Sequence, residues 1–226
     1  MRAVLTDIEG TTTSISFVYD VLFPYAEARL DSWLEEHGPG PEIERLRREY
    51  EEEVRTGAAL PDFGNGAPYV RHLMRLDRKS TGLKALQGLI WEEGYRSGEL
   101  RGHVFPDVPP ALKAWAAAGV RLRVFSSGSV RAQKLLFAYT EHGDLSGLFE
   151  GFHDTTTGPK REAASYQAIA AAYGLPAEAI LFLSDVREEL DAAAEAGMGT
   201  VLTVRPGNRP ADPGAHRSCA SFAELA

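Results

Sequence analysis

An α/β fold, with a Rossmann-like parallel sheet core and an all-helical segment inserted after the first strand, is what this 226-residue sequence predicts. Three observations carry the expectation. The chain opens on an apolar run, Ala3-Val4-Leu5, that ends in acids and Gly10, the way a buried strand leaves its sheet. From about residue 15 to 100 apolar residues recur at helical spacing, and no stretch alternates as a strand. From Val104 onward apolar strands alternate with helices, which implies βαβ crossovers and a parallel sheet covered on both faces. The expected division is residues 1–14 and 101–226 as the α/β core and 15–100 as the helical insertion.

In the first strand Asp7 and Glu9 share a face, because side chains alternate with period two. Two carboxylates held together repel unless a cation or a shared proton compensates. The insertion begins with a helix from Ser16 to about Glu36, carrying Phe17, Val21, Leu22, Tyr25, Ala28, Leu30 and Leu34, with Pro24 as a kink or restart. Gly38-Pro-Gly-Pro41 breaks it. A charged helix from Glu42 to Thr56 follows, with Ile43, Leu46, Tyr50 and Val54 as its buried stripe. Residues 61–68 read as loop, and two further helices span Pro68–Leu76 and Leu83–Ser97.

In the core, a helix from Val108 to Ala118 precedes the alternating strand Val120–Phe125, which ends in Ser126-Ser127-Gly128-Ser129. A helix over Val130–Tyr139 and a short strand within Phe149–Asp154 come next. Gly158-Pro159-Lys160 opens a helix to Tyr173, and the apolar strand Ile180–Leu183 ends on Ser184-Asp185. A helix over Glu188–Ala196 and a strand over Thr200–Val204 complete the pattern. The tail from Pro206, rich in Gly and Pro, reads as irregular. Trp33, Trp91 and Trp115 lie on helical stripes and read as core.

Composition narrows the function. A net charge of −8 argues against non-specific nucleic-acid binding, and no apolar run is long enough to span a membrane. The single cysteine, Cys219, makes no internal disulfide and fits a reducing compartment. The expectation is a cytoplasmic monomer that works without nucleic acid or membrane. An anionic small substrate remains compatible, since a metal and local dipoles reverse the field inside one cleft.

Three loops leave predicted strands with polar chemistry at the same end: Asp7-Ile8-Glu9, Ser126-Ser127-Gly128 and Ser184-Asp185. The carboxyl ends of parallel strands form the ligand crevice, so these loops should meet, together with Lys160. Ser126 and Ser127 offer hydroxyl donors and Lys160 a positive charge for a phosphoryl oxygen. Asp7 and Asp185 supply hard oxygens of the kind Mg²⁺ takes. Taken singly, each piece has an ordinary structural reading. The serine run suits a turn with an N-cap, Lys160 a solvated side chain, and Asp185 a helix cap. Glu188, Glu189 and Asp191 read as favourable charge at a helix N-terminus. The ordered set, each member at a strand or helix end, is what makes the joint coincidence improbable.

These four elements resemble the haloacid-dehalogenase-like phosphohydrolases, in which strands ending in Asp-x-Asp, in Ser or Thr, and in an acidic loop are joined by a helix-opening Lys. The matching residues are Asp7, Ser126, Lys160 and Asp185, and the helical insertion corresponds to that family's cap. Glu9 stands where the usual second acid is Asp. Longer runs are similar to the enolase-phosphatase (acireductone synthase) family of methionine salvage. They are Asp-Ile-Glu-Gly-Thr-Thr-Thr-Ser at 7–14, Val-Leu-Phe-Pro-Tyr-Ala at 21–26, the run from Ser126 to Phe137, Asp154 to Tyr166, and Leu183 to Ala193.

That resemblance implies a small phosphorylated diketone as substrate, 2,3-diketo-5-methylthiopentyl-1-phosphate, enolised and then dephosphorylated, with one Mg²⁺ per subunit. It implies Asp7 as nucleophile, Lys160 as the charge joining nucleophile and phosphate, and Ser126 and Ser127 as phosphoryl binders. Asp7, Asp185 and Glu9 would hold the metal, and proton shuttling is a competing role for Glu9. The enolisation base would be Glu9 or an acid of the 188–191 cluster, and Phe17 and Tyr19 are the nearest candidates to meet the methylthio tail. Two other functions fit the same residues: a phosphatase of this fold acting on another small phosphorylated metabolite, and a non-catalytic binding module. A dehalogenase fits less well, because that chemistry needs no Mg²⁺.

Overall fold

A computed structural model describes residues 2–78 and 80–225. Its centre is a six-stranded, all-parallel sheet in the order β3-β2-β1-β4-β5-β6. The strands are β1 (Ala3–Thr6), β2 (Arg121–Phe125), β3 (Gly151–His153), β4 (Ile180–Ser184), β5 (Gly199–Thr203) and β6 (Arg217–Cys219). β1 is buried along its whole length, with β2 on one side and β4 on the other. That burial explains why it reads as an unbroken apolar run rather than an alternating one. The chain builds outward from β1 through β2 to β3, then returns beside β1 to lay down β4, β5 and β6. The carboxyl end of β1 is therefore the topological switch point, where ligand crevices form in open parallel sheets.

By contact density the chain divides into two compact units, Met1–Val18 with Arg101–Ala226, and Tyr19–Leu100. In the sheet unit the crossover helices are α5 (Val108–Ala117), α6 (Val130–Ala138), α7 (Ala163–Tyr173) and α8 (Arg187–Glu195). One face of the sheet is covered by Tyr166, Ile169 and Tyr173 of α7 and Leu190 and Ala193 of α8, packed on Leu5, Phe125 and Phe182. Tyr166 meets Phe125 edge-on at 5.5 Å between centroids and Phe182 at 5.0 Å, and the Tyr173 hydroxyl donates to the Val4 carbonyl at 2.7 Å. Trp115 is buried and packs on Phe222.

The helical unit holds α1 (Phe23–His37), α2 (Pro41–Arg55), α3 (Ala67–Arg75) and α4 (Thr81–Ser97). Trp33 and Trp91 are buried as expected, and the Trp91 indole donates to the Leu22 carbonyl at 2.7 Å. Ahead of α1, Phe17–Leu22 winds as a π-helix rather than an α-helix. Pro24 has no N–H to give and its ring crowds the carbonyl four residues back, so the regular ladder does not run through it. On α2 the expected stripe holds for Ile43 and Leu46 but not for Val54, which is exposed in the last turn. Among the described residues no helix is long and apolar enough to cross a membrane.

Two further expectations need correction. Lys160 does not open α7; it sits in a turn three residues before the helix begins at Ala163. The tail beyond Pro206 is not wholly irregular, because Arg217–Cys219 adds β6 to the sheet edge and buried Phe222 anchors the chain after it.

Candidate active site

Asp7 follows β1 directly, and its backbone N–H donates to the Leu183 carbonyl of β4 at 2.9 Å. The turn after it is tight: the Ile8 carbonyl accepts from the N–H groups of Thr11, Thr12 and Thr13 at 2.9–3.1 Å. Gly10 sits inside this turn at φ +69°, where a side chain is strained. A Cβ there would also run into the Asp185 carboxylate. Gly10→Ala should therefore lower thermal stability and weaken Mg²⁺ binding together, with about 1–2 kcal/mol from the left-handed backbone alone. Melting curves and a metal titration check this; parental values in both would contradict it.

Lys160 is the electrostatic centre of the site. Its Nζ lies 2.8 Å from Asp7 Oδ1 and 2.6 Å from Glu189 Oε2, and all three side chains are buried. Burial alone would lower the Lys160 pKa, but Asp7 and Glu189 outweigh it and hold the ammonium above its ordinary value. The turn bearing Lys160 is fastened by the first turn of α7. The Tyr166 hydroxyl donates to the Lys160 carbonyl at 2.6 Å, and Ser165 Oγ to the Pro159 carbonyl at 2.7 Å. Glu189 also accepts from Ser184 Oγ at 2.9 Å. Its pKa is raised by burial and by Asp7, against the pull of Lys160.

Asp185 is half-buried at the end of β4. Its pKa is pushed up to about 7, first by burial, then by the negative charge of Asp7, with Glu9 adding to it. Asp7, Glu9 and Asp185 are thus electrostatically close, and the excess negative charge there suits a cation. Among the described residues no group of three or more His, Cys, Asp or Glu side chains is arranged to hold a metal by itself. Magnesium needs no such cage. It is bound by one or two carboxylates, with waters and a substrate phosphate filling the octahedron, and Asp7 with Asp185 fits that description.

Ser126 is buried and Ser127 half-buried at the end of β2, the strand beside β1. Gln133 of α6 shapes their loop: its Nε2 donates to the carbonyls of Gly128 at 2.7 Å, His153 at 2.9 Å and Ser126 at 3.4 Å. Ser129, the last serine of the run, does act as an N-cap, accepting from the Ala132 N–H at 3.3 Å.

The structure brings Asp7, Lys160 and Glu189 into one buried cluster, with half-buried Asp185 close enough to feel the Asp7 charge, Glu9 near it and the Ser126–Ser127 loop on the neighbouring strand end. Sequence reasoning took Glu189 as helix-terminal charge or as one of the 188–191 acids for the enolisation step, not as the partner of Lys160, and it missed Gln133. It also missed Arg205, whose Nε donates to the Thr11 carbonyl at 3.1 Å while Nη1 pairs with both oxygens of Asp107. The local signal for Glu189 was its place in the first turn of α8, which starts two residues after Asp185 and so at the same end of the sheet.

The family model for haloacid dehalogenase-like hydrolases matches residues 1–197. Enolase-phosphatase E1 of Synechococcus elongatus is 52% identical, with 100% of this chain and 98% of the relative covered. Enolase-phosphatase E1 of Pseudomonas aeruginosa is 50% identical over the same shares. Among solved structures, the UTR4 protein of Saccharomyces cerevisiae superposes with a TM-score of 0.80 at 34% identity, covering 98% of both chains.

Proposed function

The chain belongs to the haloacid dehalogenase-like hydrolases and, within them, to the enolase-phosphatases, and from that premise we propose that it turns the diketo-methylthiopentyl phosphate of methionine salvage into 1,2-dihydroxy-3-keto-5-methylthiopentene and phosphate. The observation that carries this reading is the buried Asp7–Lys160 pair at the switch point of the sheet, beside a second acid able to share a metal. The helical unit takes the part of the family's cap domain.

In the first half-reaction a base removes the proton on carbon next to a carbonyl. Glu9 is our assignment. Glu189 is engaged by Lys160 and Ser184, Glu188 is exposed, and Asp191 is exposed and pairs with His216 and Arg187. In the second, an Asp7 oxygen attacks phosphorus; the new O–P bond forms as the bond to the enol oxygen breaks, and Glu9 returns a proton to that oxygen. Water then attacks the aspartyl-phosphate, giving its proton to Glu9 and freeing Asp7. Glu9 passes that proton to the former carbonyl oxygen, left as an enolate by the first half-reaction, which completes the dihydroxy product and restores the base. Lys160 keeps nucleophile and phosphoryl group together despite their like charge, and Glu189 keeps Lys160 in place. Ser126 and Ser127 donate to the phosphoryl oxygens. Mg²⁺, held by Asp7 and Asp185, would supply charge neutralisation on the transferring group when bound. Glu9 serves here as proton carrier rather than side-chain metal ligand.

Rapid acid quenching during turnover, followed by peptide mass analysis, tests the covalent step. Phosphate on the peptide carrying Asp7 is expected; phosphate on another residue, or on none under single turnover, would overturn the assignment.

The acids also set a pH dependence for the metal-free protein. The Asp185 pKa lies above its ordinary value, so its contribution to stability is complete below the usual carboxylate range and is lost as pH rises through about 7. The melting temperature without metal should therefore fall between about pH 5 and pH 8, and added Mg²⁺ should raise it more at the upper end, where the carboxylates are ionised. Equal stabilisation by Mg²⁺ at both ends would contradict this.

A further inference from the structure

Asn208 lies in the segment after β5. Its Nδ2 donates to the Gly10 carbonyl at 2.8 Å and the Thr203 carbonyl at 3.3 Å. Both partners are acceptors, so the amide has one sensible orientation, with its NH₂ toward them and Oδ1 pointing elsewhere. That Oδ1 is buried and has no hydrogen-bond partner. It stands with Asp185 Oδ2 at the Gly10 turn, both within 3.0 Å of the point a Gly10 Cβ would occupy. Two oxygen acceptors, one of them in a carboxylate, thus converge on one small polar spot. Leaving such an amide oxygen unsatisfied costs about 1–3 kcal/mol, and only a donor or a cation removes that cost. The absence of a side chain at Gly10 keeps the spot open.

We infer that Asn208 is a positioning residue for the divalent cation: Oδ1 accepts a hydrogen bond from water in the cation's shell, while Nδ2 fixes the turn that follows Glu9. The inference rests on the Mg²⁺ dependence proposed above for the same site.

The test is a calorimetric titration of MgCl₂ alone into the full chain, stripped of metal with a chelator and desalted. Asn208→Ala should raise the Mg²⁺ Kd by about 10- to 100-fold, the range found when outer-shell partners of a metal are removed. Thr203→Val is the control, because it removes the other side-chain donor to the Gly10 carbonyl, Thr203 Oγ1 at 3.2 Å, and leaves Oδ1 in place. It should bind Mg²⁺ like the parent. Asn208→Asp keeps an oxygen at the spot but gives up the Nδ2 donor to the Gly10 and Thr203 carbonyls, so it should bind Mg²⁺ more tightly than Asn208→Ala. Asn208→Leu, which has neither polar atom, replaces the alanine variant if that does not fold. Parental affinity in Asn208→Ala, equal weakening in Thr203→Val, or Asn208→Asp binding no better than the variant without either polar atom would each overturn the inference. A parent chain that takes up no Mg²⁺ would overturn the metal reading beneath it as well.

Discussion

Asp7→Asn should abolish phosphate release, with a fall on the order of 10⁴-fold or more, the size seen when a covalent nucleophile is lost. The substitution is nearly isosteric, and the buried Lys160 keeps its contact with Glu189 at 2.6 Å, so the fold should survive. Removing the Asp7 charge also relieves both Asp185 and Glu189, whose pKa values it helps to raise. The two halves of the reaction should then separate. If Glu9 is the enolisation base, the variant still enolises the diketone, and a phosphorylated enediol accumulates with ultraviolet absorbance but no free phosphate. A variant that releases phosphate at the parental rate would remove Asp7 from the mechanism. One that shows neither signal, while folded, would place Asp7 in the enolisation as well.

Lys160→Met should be both inactive and unstable. It removes the cation between Asp7 and Glu189 and leaves two buried carboxylates facing each other, near a third in Asp185. Breaking a buried ion pair from one side costs about 3–5 kcal/mol, a large part of the ~5–15 kcal/mol that holds a domain together. The loss should depend on pH. Glu189 takes up a proton more readily than an ordinary glutamate, because burial and Asp7 oppose its charge. Its raised pKa means the protonated form is the stabilising one below neutrality, so the variant should lose least at about pH 5 and most at about pH 8. Adding Glu189→Gln should recover stability at the higher pH without recovering activity. Urea unfolding of both variants at the two pH values measures this, and parental stability of Lys160→Met at the higher pH would contradict it.

The sequence exposed what depends on local order. Ala3-Val4-Leu5 followed by Asp7, Val120–Phe125 followed by Ser126, and Ile180–Leu183 followed by Asp185 each carry a strand and its chemistry in one short run, so their meeting at one sheet end follows from topology. The parallel sheet was legible for the same reason. What stayed hidden depends on direction rather than order. Glu188 and Glu189 are neighbours in sequence, yet about 100° of helix rotation exposes the first and buries the second against Lys160. Arg205 fell between the expected strand Thr200–Val204 and the tail from Pro206 and carried no reading of its own. It is buried, with its guanidinium 4.8 Å from the ring centroids of both Phe105 and Phe222, partners far away along the chain. Asn208 was missed because its meaning lies in which side of the amide has a partner. Lys160 was placed in a helix because Gly158-Pro159 resembles a helix start. The turn persists to Glu162 because Ser165 and Tyr166 hold the carbonyls of Pro159 and Lys160 outside the helical ladder.

The most direct measurement is one reaction of the diketo-methylthiopentyl phosphate with the purified chain, with and without Mg²⁺, following phosphate release and enediol absorbance together. Both signals, and both only with Mg²⁺, are the predicted result. Phosphate released from this substrate without the enediol signal would contradict the two-step account and leave a phosphatase of this fold with another substrate.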